Sequence, residues 1–230
     1  MKTLTLSFYF LICLSIYSYA QKIKTPFSSE NLFGNVKQVT EILLSPRKRI
    51  KIDTIEKIIS DYDITGNIIR KLVFPRINGS SSASRQYNYT TNYDSQGKRQ
   101  SIDMSSQLDK EIFKFDLNDN ITRSIFYYKN DSLIRRLYKY DNKGNQKEYI
   151  FEDLQTGSVP NATIAYRRKF DNNGNVIEED LYNNGKLDNQ AYFVHKAFDM
   201  AKNWTKRSCY IIKNGNKTEG VTYIRQFIYY

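Results

Sequence analysis

Histidine and cysteine are scarce in this chain. Its 230 residues include one His and two Cys, which excludes a histidine-rich metal site and a disulfide scaffold. Beyond residue 20, no hydrophobic run approaches the roughly 18 residues that a membrane-spanning helix needs. The hydrophobic share of 40% is nevertheless too high for a disordered chain. A chain of this length and composition is expected to fold as one domain, or at most two.

The first twenty residues have the pattern of a secretory signal peptide. Lys2 provides the positive start, an apolar run covers residues 4–17, and Ser18 and Ala20 are the small residues before a cleavage site. A retained N-terminal anchor is the alternative interpretation. We therefore expect residues 1–20 to be removed and residues 21–230 to form a single β domain. That domain would be exported to the periplasm or the cell exterior, would keep only Cys209, and could not form an internal disulfide.

The 19 Tyr and 13 Phe are partly explained by a recurring turn motif. Six segments share an aromatic–Asp pair, and in four of them a Gly follows three residues after the Asp. The segments are Tyr62-Asp63 with Gly66, Tyr93-Asp94 with Gly97, Phe115-Asp116, Tyr140-Asp141 with Gly144, Phe170-Asp171 with Gly174, and Phe198-Asp199. An Asp in this position accepts backbone hydrogen bonds, and the Gly takes the left-handed conformation that closes the turn. Asp119 and Lys202 replace the Gly in two copies, and Lys202 predicts a different shape for the last turn.

The stretches between these turns are typical of β-strands. Alternating segments rich in Ile, Tyr, Phe, Thr and Val occupy 120–128, 133–140, 163–170 and 191–198. They predict an all-β fold, an antiparallel meander of about 10–13 strands with little helix. Residues 54–62 are compatible with helix or strand. Because charges fall on both faces of many strands, we expect an extended or curled, twisted sheet with a modest core.

The turn motif carries a family resemblance. Tyr138-Lys139-Tyr140-Asp141-Asn142-Lys143-Gly144-Asn145 resembles the Rhs/YD repeat, and residues 168–176 look like a second copy. The resemblance covers about residues 62–204. The closing residues 202–230 are similar to the ends of small exported YD-repeat-like proteins common in Bacteroidota. The resemblance implies a sheet built from YD-type hairpin repeats, and it implies no activity.

The sequence predicts no catalytic residue, cofactor or metal ligand. His195 alternates with Phe193 in a strand-like segment, which favours a packed histidine over a catalytic one. Cys209 is expected to be a buried, unreactive thiol. Glu178 and Asp180 share one strand face and resemble the paired acids of glycosidases, but adjacent acids are also common on solvent-facing strands. Each turn Asp already uses its oxygens locally, which argues against calcium sites.

Basic residues recur along the chain and indicate the class of partner. They occur at 47–51, 135–136, 167–169 and 206–207. Export makes nucleic acid an improbable partner, so the expected partners are an anionic glycan, lipopolysaccharide or an envelope protein, or else these residues are simply solvated strand faces.

The leading hypothesis is a non-enzymatic module that binds such a partner on its sheet surface. The alternatives are an assembly factor that pairs its sheet edges with a partner, a small outer-membrane barrel, and a hydrolase that gathers Glu178 and His195.

Overall fold

Every regular element that the structure describes is a β-strand. The computed structural model describes residues 22–23, 32–46, 54–77, 80–81, 84–106, 109–129, 131–154, 163–213 and 215–230. Three strands have two residues each: β1 (Lys22–Ile23), β2 (Leu32–Phe33) and β6 (Ser80–Ser81). The others are β3 (Val36–Leu44), β4 (Thr54–Tyr62), β5 (Ile68–Ile77), β7 (Arg85–Tyr93), β8 (Arg99–Ser105), β9 (Asp109–Phe115), β10 (Ile121–Tyr128), β11 (Asp131–Tyr140), β12 (Gln146–Asp153), β13 (Thr163–Phe170), β14 (Val176–Asn183), β15 (Lys186–Phe198), β16 (Trp204–Lys213) and β17 (Asn216–Tyr229). Within these ranges, no helix is long and apolar enough to cross a membrane.

The longer strands form one closed antiparallel barrel. Fourteen strands, β3–β5 and β7–β17, pair in a ring in which β4 lies between β3 and β5. The ring closes where the last strand meets the first, with Thr222 opposite Leu44 and Phe227 opposite Val39. Closure removes the two free edges that an open sheet of this length would expose.

The barrel confirms part of the sequence-based fold prediction and corrects the rest. The all-β antiparallel meander is confirmed, and residues 54–62 are a strand. The expected extended or curled sheet of about 10–13 strands is corrected to a closed barrel, because fourteen strands pair in a ring. The resemblance to the Rhs/YD repeat is likewise wrong as a statement about the fold, because the hairpins build a single barrel wall. The predicted signal peptide, residues 1–20, lies outside the described residues.

The six aromatic–Asp turns all lie at one end of the barrel. They connect β4 to β5, β7 to β8, β9 to β10, β11 to β12, β13 to β14 and β15 to β16. Neighbouring strands of the ring run in opposite directions, so alternate connections along the chain lie at the same end of the barrel. The C-terminus reaches the same end, where the Tyr230 N–H donates to the Asn35 carbonyl at 3.0 Å. We call this the turn end of the barrel, and the other the loop end.

The hydrophobic core fills the lumen toward the turn end. The residue that follows each turn is apolar in four of the six copies, and these four side chains are at most 4% exposed: Ile68, Ile121, Val176 and Trp204. Ile68 and Ile121 belong to a larger cluster that also contains Val39 and Phe113. The cluster therefore spans several neighbouring strands of the wall, from β3 through β5 and β7 to β10.

Candidate functional site in the barrel lumen

The turn residues singled out from the sequence make a shared set of hydrogen bonds. In all six turns, the Oδ1 of the Asp accepts from the N–H four residues on, at 2.8–2.9 Å. The third residue after the Asp has a positive φ in every copy, including Asp119 at 61° and Lys202 at 69°. The last turn therefore has the same shape as the others, and the expectation that Lys202 would change it is wrong. The residues of these turns hold strands together, and they lie outside the cavity described below.

An Asn four residues after the turn Asp is a second element that the sequence analysis did not use. Five of the six copies carry it, and each of the five is at most 9% exposed: Asn67, Asn120, Asn145, Asn175 and Asn203. In four copies its Nδ2 donates back to the second oxygen of the turn Asp, at 2.9–3.2 Å. Its recurrence at a fixed spacing was the signal that could have identified it.

Adjacent residues of one strand show which face lines the lumen. Arg136 on β11 pairs with Glu111 on β9, two strands away, whereas its neighbour Arg135 pairs with Glu152 on the adjacent β12. A side chain contacts a strand beyond its neighbour only across the concave face of a curved wall. Arg136 and Glu111 therefore face the lumen, and Arg135 and Glu152 face outward.

The lumen contains a cavity of about 440 Å³. Its lining comes from strands β5 to β13, a stretch of wall that meets in one cavity only because the sheet is curled. Three cations line it, Lys71, Arg136 and Arg168, against one carboxylate, Glu111. The rest of the lining is largely aromatic and includes four tyrosines: Tyr87, Tyr89, Tyr138 and Tyr149.

Glu111 is held in place by a network within the lumen. It is 5% exposed, and besides its ion pair with Arg136 its Oε1 accepts a hydrogen bond from the Ser124 hydroxyl at 2.6 Å. The Ser124 Oγ lies 3.2 Å from the Tyr138 hydroxyl. Burial raises the pKa of Tyr138, and Glu111 adds to the shift, so this phenol stays neutral and available as a donor. Because Arg136 balances Glu111, this part of the cavity carries no net charge.

Tyrosines stack in a row along the neighbouring strands. The Tyr149 ring lies between those of Tyr138 and Tyr166, with centroids 6.1 and 4.7 Å away. The Arg168 guanidinium sits 5.4 Å from the Tyr149 ring centre, and its Nε donates to Glu179 at 2.6 Å. These contacts give the cavity a wall of fixed aromatic faces.

Arg136 and Arg168 each pair with a carboxylate, whereas Lys71, the third cation of the cavity, pairs with none in the described barrel. Among the residues that the structure describes, none forms an ion pair or a hydrogen bond with its ammonium group. Burial lowers the pKa of Lys71, although the more distant carboxylates of Glu41, Glu56 and Glu111 act in the opposite direction. Nothing in the sequence around Lys71 indicated a role for it, since the cavity forms only when the barrel closes.

Another part of the lumen is occupied by an arginine packed between aromatic rings. The Arg207 guanidinium lies 4.3–4.6 Å from the ring centres of Phe193, Trp204 and Tyr223. His195 packs against Trp204, with the ring centroids 5.9 Å apart. The guanidinium in this region of the lumen is thus surrounded by the protein's own aromatic side chains.

The catalytic candidates do not come together. Glu178 pairs with Lys169 on the outer face, and its cross-strand partner on β15 is Tyr192. His195 lies three residues after Tyr192 on the same strand and therefore faces the lumen. The cleft that a hydrolase would need between Glu178 and His195 is therefore absent from the described barrel. Cys209 is buried, and burial raises the pKa of its thiol, although Arg207 acts in the opposite direction.

The outer wall from β11 to β14 carries a row of ion pairs. The basic pairs and triplets of the sequence supply its cations, and alternate members point outward. The pairs are Arg135–Glu152 at 2.5 Å, Lys139–Glu148 at 2.5 Å, Arg167–Glu148 at 2.9 Å and Lys169–Glu178 at 2.6 Å. Arg70 and Asp61 form a further pair at 2.7 Å on β5 and β4. The basic segment 47–51 lies outside the described residues.

Comparison with known proteins identifies a similar barrel. No protein-family model and no curated protein matches the chain. A solved structure of a porin-like protein from Bacteroides uniformis has a TM-score of 0.51 and 7% sequence identity, over 89% of this chain and 100% of that chain. At this identity the likeness concerns the fold alone. It agrees with the closed barrel and contradicts a YD-repeat fold.

Proposed function

We propose that this chain is a non-enzymatic envelope β-barrel that binds a small ligand in its lumen. The observation that carries the proposal is the cavity of about 440 Å³, because it combines enough volume for a small molecule with polar and aromatic walls. Binding sites of this kind usually have mostly preformed walls and a few well-placed polar groups. The networks around Glu111 and Arg168 supply such groups.

The closed barrel argues against binding on an exposed sheet surface and against an assembly factor that pairs free sheet edges. A module that binds on an exposed sheet face would need a broad, flat surface, whereas four tyrosines and two phenylalanines of this barrel line the cavity. An assembly factor that pairs its sheet edges would need free edges, and the fourteen-strand ring leaves none within the described barrel wall. An anionic glycan or lipopolysaccharide fragment remains a candidate ligand on the basis of the cationic lumen.

The ion pairs on the outer wall support an aqueous location for the barrel. A membrane barrel presents an outward apolar band about 25 Å tall, in which charged side chains are destabilising. Arg135 and Arg167 lie in the middle of β11 and β13 and face outward, at the height where such a band would run. A signal peptide at residues 1–20 and an aqueous barrel together favour a periplasmic or extracellular protein.

A small outer-membrane barrel is the second candidate function. Barrel closure and the likeness to the porin-like structure favour it. It requires the outward ion pairs of β11 to β14 to lie outside the hydrocarbon layer. Fractionation of cells that express the full chain separates the two candidates. An aqueous barrel is released without detergent, whereas a membrane barrel stays in the carbonate-washed envelope and needs detergent for extraction.

Native mass spectrometry of the protein purified from its own envelope tests the ligand proposal. We expect the wild-type chain to retain a small-molecule adduct. Val73→Trp should lose this adduct, because Val73 lines the cavity and the larger side chain fills it. Leu72→Trp is the matched control, since Leu72 is the adjacent residue on the other face of β5. With both variants folded by circular dichroism, an adduct that Val73→Trp keeps, or no adduct on the wild type, would contradict the proposal.

A further inference from the structure

The charge balance of the lumen leaves one cation in excess at the cavity. Arg136 is paired with Glu111, and Arg168 with Glu179 at 2.6 Å. Lys71 lines the same cavity, and its ammonium group forms neither an ion pair nor a hydrogen bond with a described residue. Two of the cavity's three cations are therefore neutralised by the protein itself, and the third is not.

The carboxylates nearest to Lys71 are committed elsewhere or lie further along the wall. Glu41 pairs with Arg225 at 2.7 Å, and Glu111 pairs with Arg136. Glu56 lies on β4, four residues before Ser60, the cross-strand partner of Lys71. Glu56 acts on Lys71 electrostatically, and no ion pair joins the two among the described residues. These acids attract the ammonium group through space without contacting it.

The neighbours of Lys71 are suited to the remainder of an organic ligand. Tyr87 is its cross-strand partner on β7, and Tyr89 follows on the same face. Met104 and Phe113 continue the apolar wall, and both are nearly fully buried. The cavity thus has one desolvated cation beside an aromatic and thioether surface.

We infer that the lumen cavity binds a small organic anion, with its carboxylate or phosphate group against Lys71 and its ring or hydrocarbon part against Tyr87, Tyr89 and Met104. This inference rests on the proposed function and specifies its ligand class. The physical reason is that a partly buried ammonium without a partner has lost hydration that a bound anion replaces. An uncharged ligand of the same shape does not replace the hydration that the ammonium group has lost.

Ligand-observed NMR titrations of the full chain test the inference with three probes of matched shape. Benzoate carries a carboxylate, phenyl phosphate carries a phosphate, and benzamide is uncharged. We expect one or both anions to bind at least about 10-fold more tightly than benzamide, as a charge-assisted hydrogen bond contributes roughly this much. The anion that binds better identifies the acidic group that the cavity prefers.

Substitutions assign the preference to Lys71. Lys71→Met keeps the aliphatic stem and removes the charge, so the anions and benzamide should then bind equally. Lys71→Arg should keep the preference, which separates charge from a change in packing. Lys114→Met is the matched control, because Lys114 is an exposed lysine on the outer face of β9. It should behave like the wild-type chain.

Two results would contradict the preference for an anion at Lys71 and would leave the proposed ligand binding in the lumen unaffected. One is equal affinity of the wild-type chain for benzoate, phenyl phosphate and benzamide, or no binding of any of the three. The other is an anion preference that survives Lys71→Met. The mass-spectrometric comparison of Val73→Trp with Leu72→Trp tests ligand binding itself, so the two failures are distinguishable.

Discussion

Asn203 and Phe33 lie 170 residues apart and pair as two strand residues would. The Phe33 N–H donates to the Asn203 Oδ1 at 2.8 Å, and the Asn203 Nδ2 donates to the Phe33 carbonyl at 2.8 Å. The same Nδ2 also donates to the Tyr229 hydroxyl at 2.9 Å. The other buried turn asparagines bond back to their own turn Asp. Asn203 instead fastens the short strand β2 and the end of β17 to the last turn, and so completes the turn end of the barrel.

Replacing Asn203 should loosen this end of the barrel. Asn203→Ala removes its hydrogen bonds to the partly buried Phe33 N–H and carbonyl, which should lower the free energy of unfolding by about 1–2 kcal/mol. Urea denaturation measures the loss, and hydrogen exchange at the Phe33 amide should speed up. Asn173→Ala, at an exposed turn position, is the control and should change neither quantity appreciably. Unchanged protection of the Phe33 amide in Asn203→Ala would show that the asparagine does not hold β2.

The turn aspartates should make the barrel sensitive to acid. Burial raises the pKa of Asp141, but hydrogen bonds from Asn145 and Lys143 outweigh it and hold the pKa below its usual value of 3.8. A carboxyl whose pKa is lowered by folding stabilises the protein above its unfolded-state pKa, and this contribution disappears as the pH falls through the folded-state value. Asp141→Ala should therefore cost about 1–2 kcal/mol near neutral pH and less below pH 3.8.

Denaturation curves of both proteins at a series of pH values measure this difference. Asn142→Ala removes an exposed side chain from the same turn and is the matched control. A difference between Asp141→Ala and the wild type that stays constant down to the acid transition would be inconsistent with the bonded carboxylate.

The ion pair between Glu41 and Arg225 joins the first and last strands of the barrel inside the lumen. The two residues are cross-strand partners, and the Arg225 guanidinium lies 3.7 Å from the Trp204 ring centre. Their side chains are only 19% and 11% exposed. Glu41→Gln or Arg225→Met alone should cost about 3 kcal/mol, because each leaves a partly buried charge behind. The double variant Glu41→Leu/Arg225→Met should cost less than the sum.

Urea denaturation of the two single variants and the double variant gives the coupling between the residues. The outward pair Lys169–Glu178 is the reference, since 67% of the Lys169 side chain is exposed and exposed pairs contribute little. Additive losses at Glu41 and Arg225, or losses no larger than at the reference pair, would show that this pair does not secure the closure.

Strand alternation and turn chemistry were the parts of the fold that local sequence could predict. Residues 163–170 were predicted as a strand and form β13 with the same bounds. Barrel closure was not predictable in this way, because it depends on Thr222 meeting Leu44 across most of the chain. The strands carry charges on both faces, and this pattern was interpreted as an extended or curled sheet with a modest core. Some of those charges in fact form pairs inside the lumen, as Arg136–Glu111, Arg168–Glu179 and Arg225–Glu41 do.

The candidate site depends on closure and was therefore beyond the reach of local pattern. Alternation shows that Arg135 and Arg136 lie on opposite faces, but it does not tell which face is inside. Lys71 and Arg168 are about one hundred residues apart in sequence and line one cavity only when the wall curls. The aromatic residues outside the turns were left without an assignment, and several of them form the walls of that cavity.

The buried tyrosines should make the barrel unstable in alkali. Burial raises the pKa of Tyr149 and of Tyr223 to about 12, from an ordinary value of 10. Between these two values the unfolded chain loses phenolic protons that the folded barrel retains. Stability is therefore complete below pH 10 and falls as the pH rises toward 12. Absorbance at the phenolate band should show a late group of tyrosines that ionises together with unfolding. Tyr149→Phe should remove one phenol from that group and reduce the loss of stability above pH 10, whereas an unchanged titration would place Tyr149 among the accessible phenols.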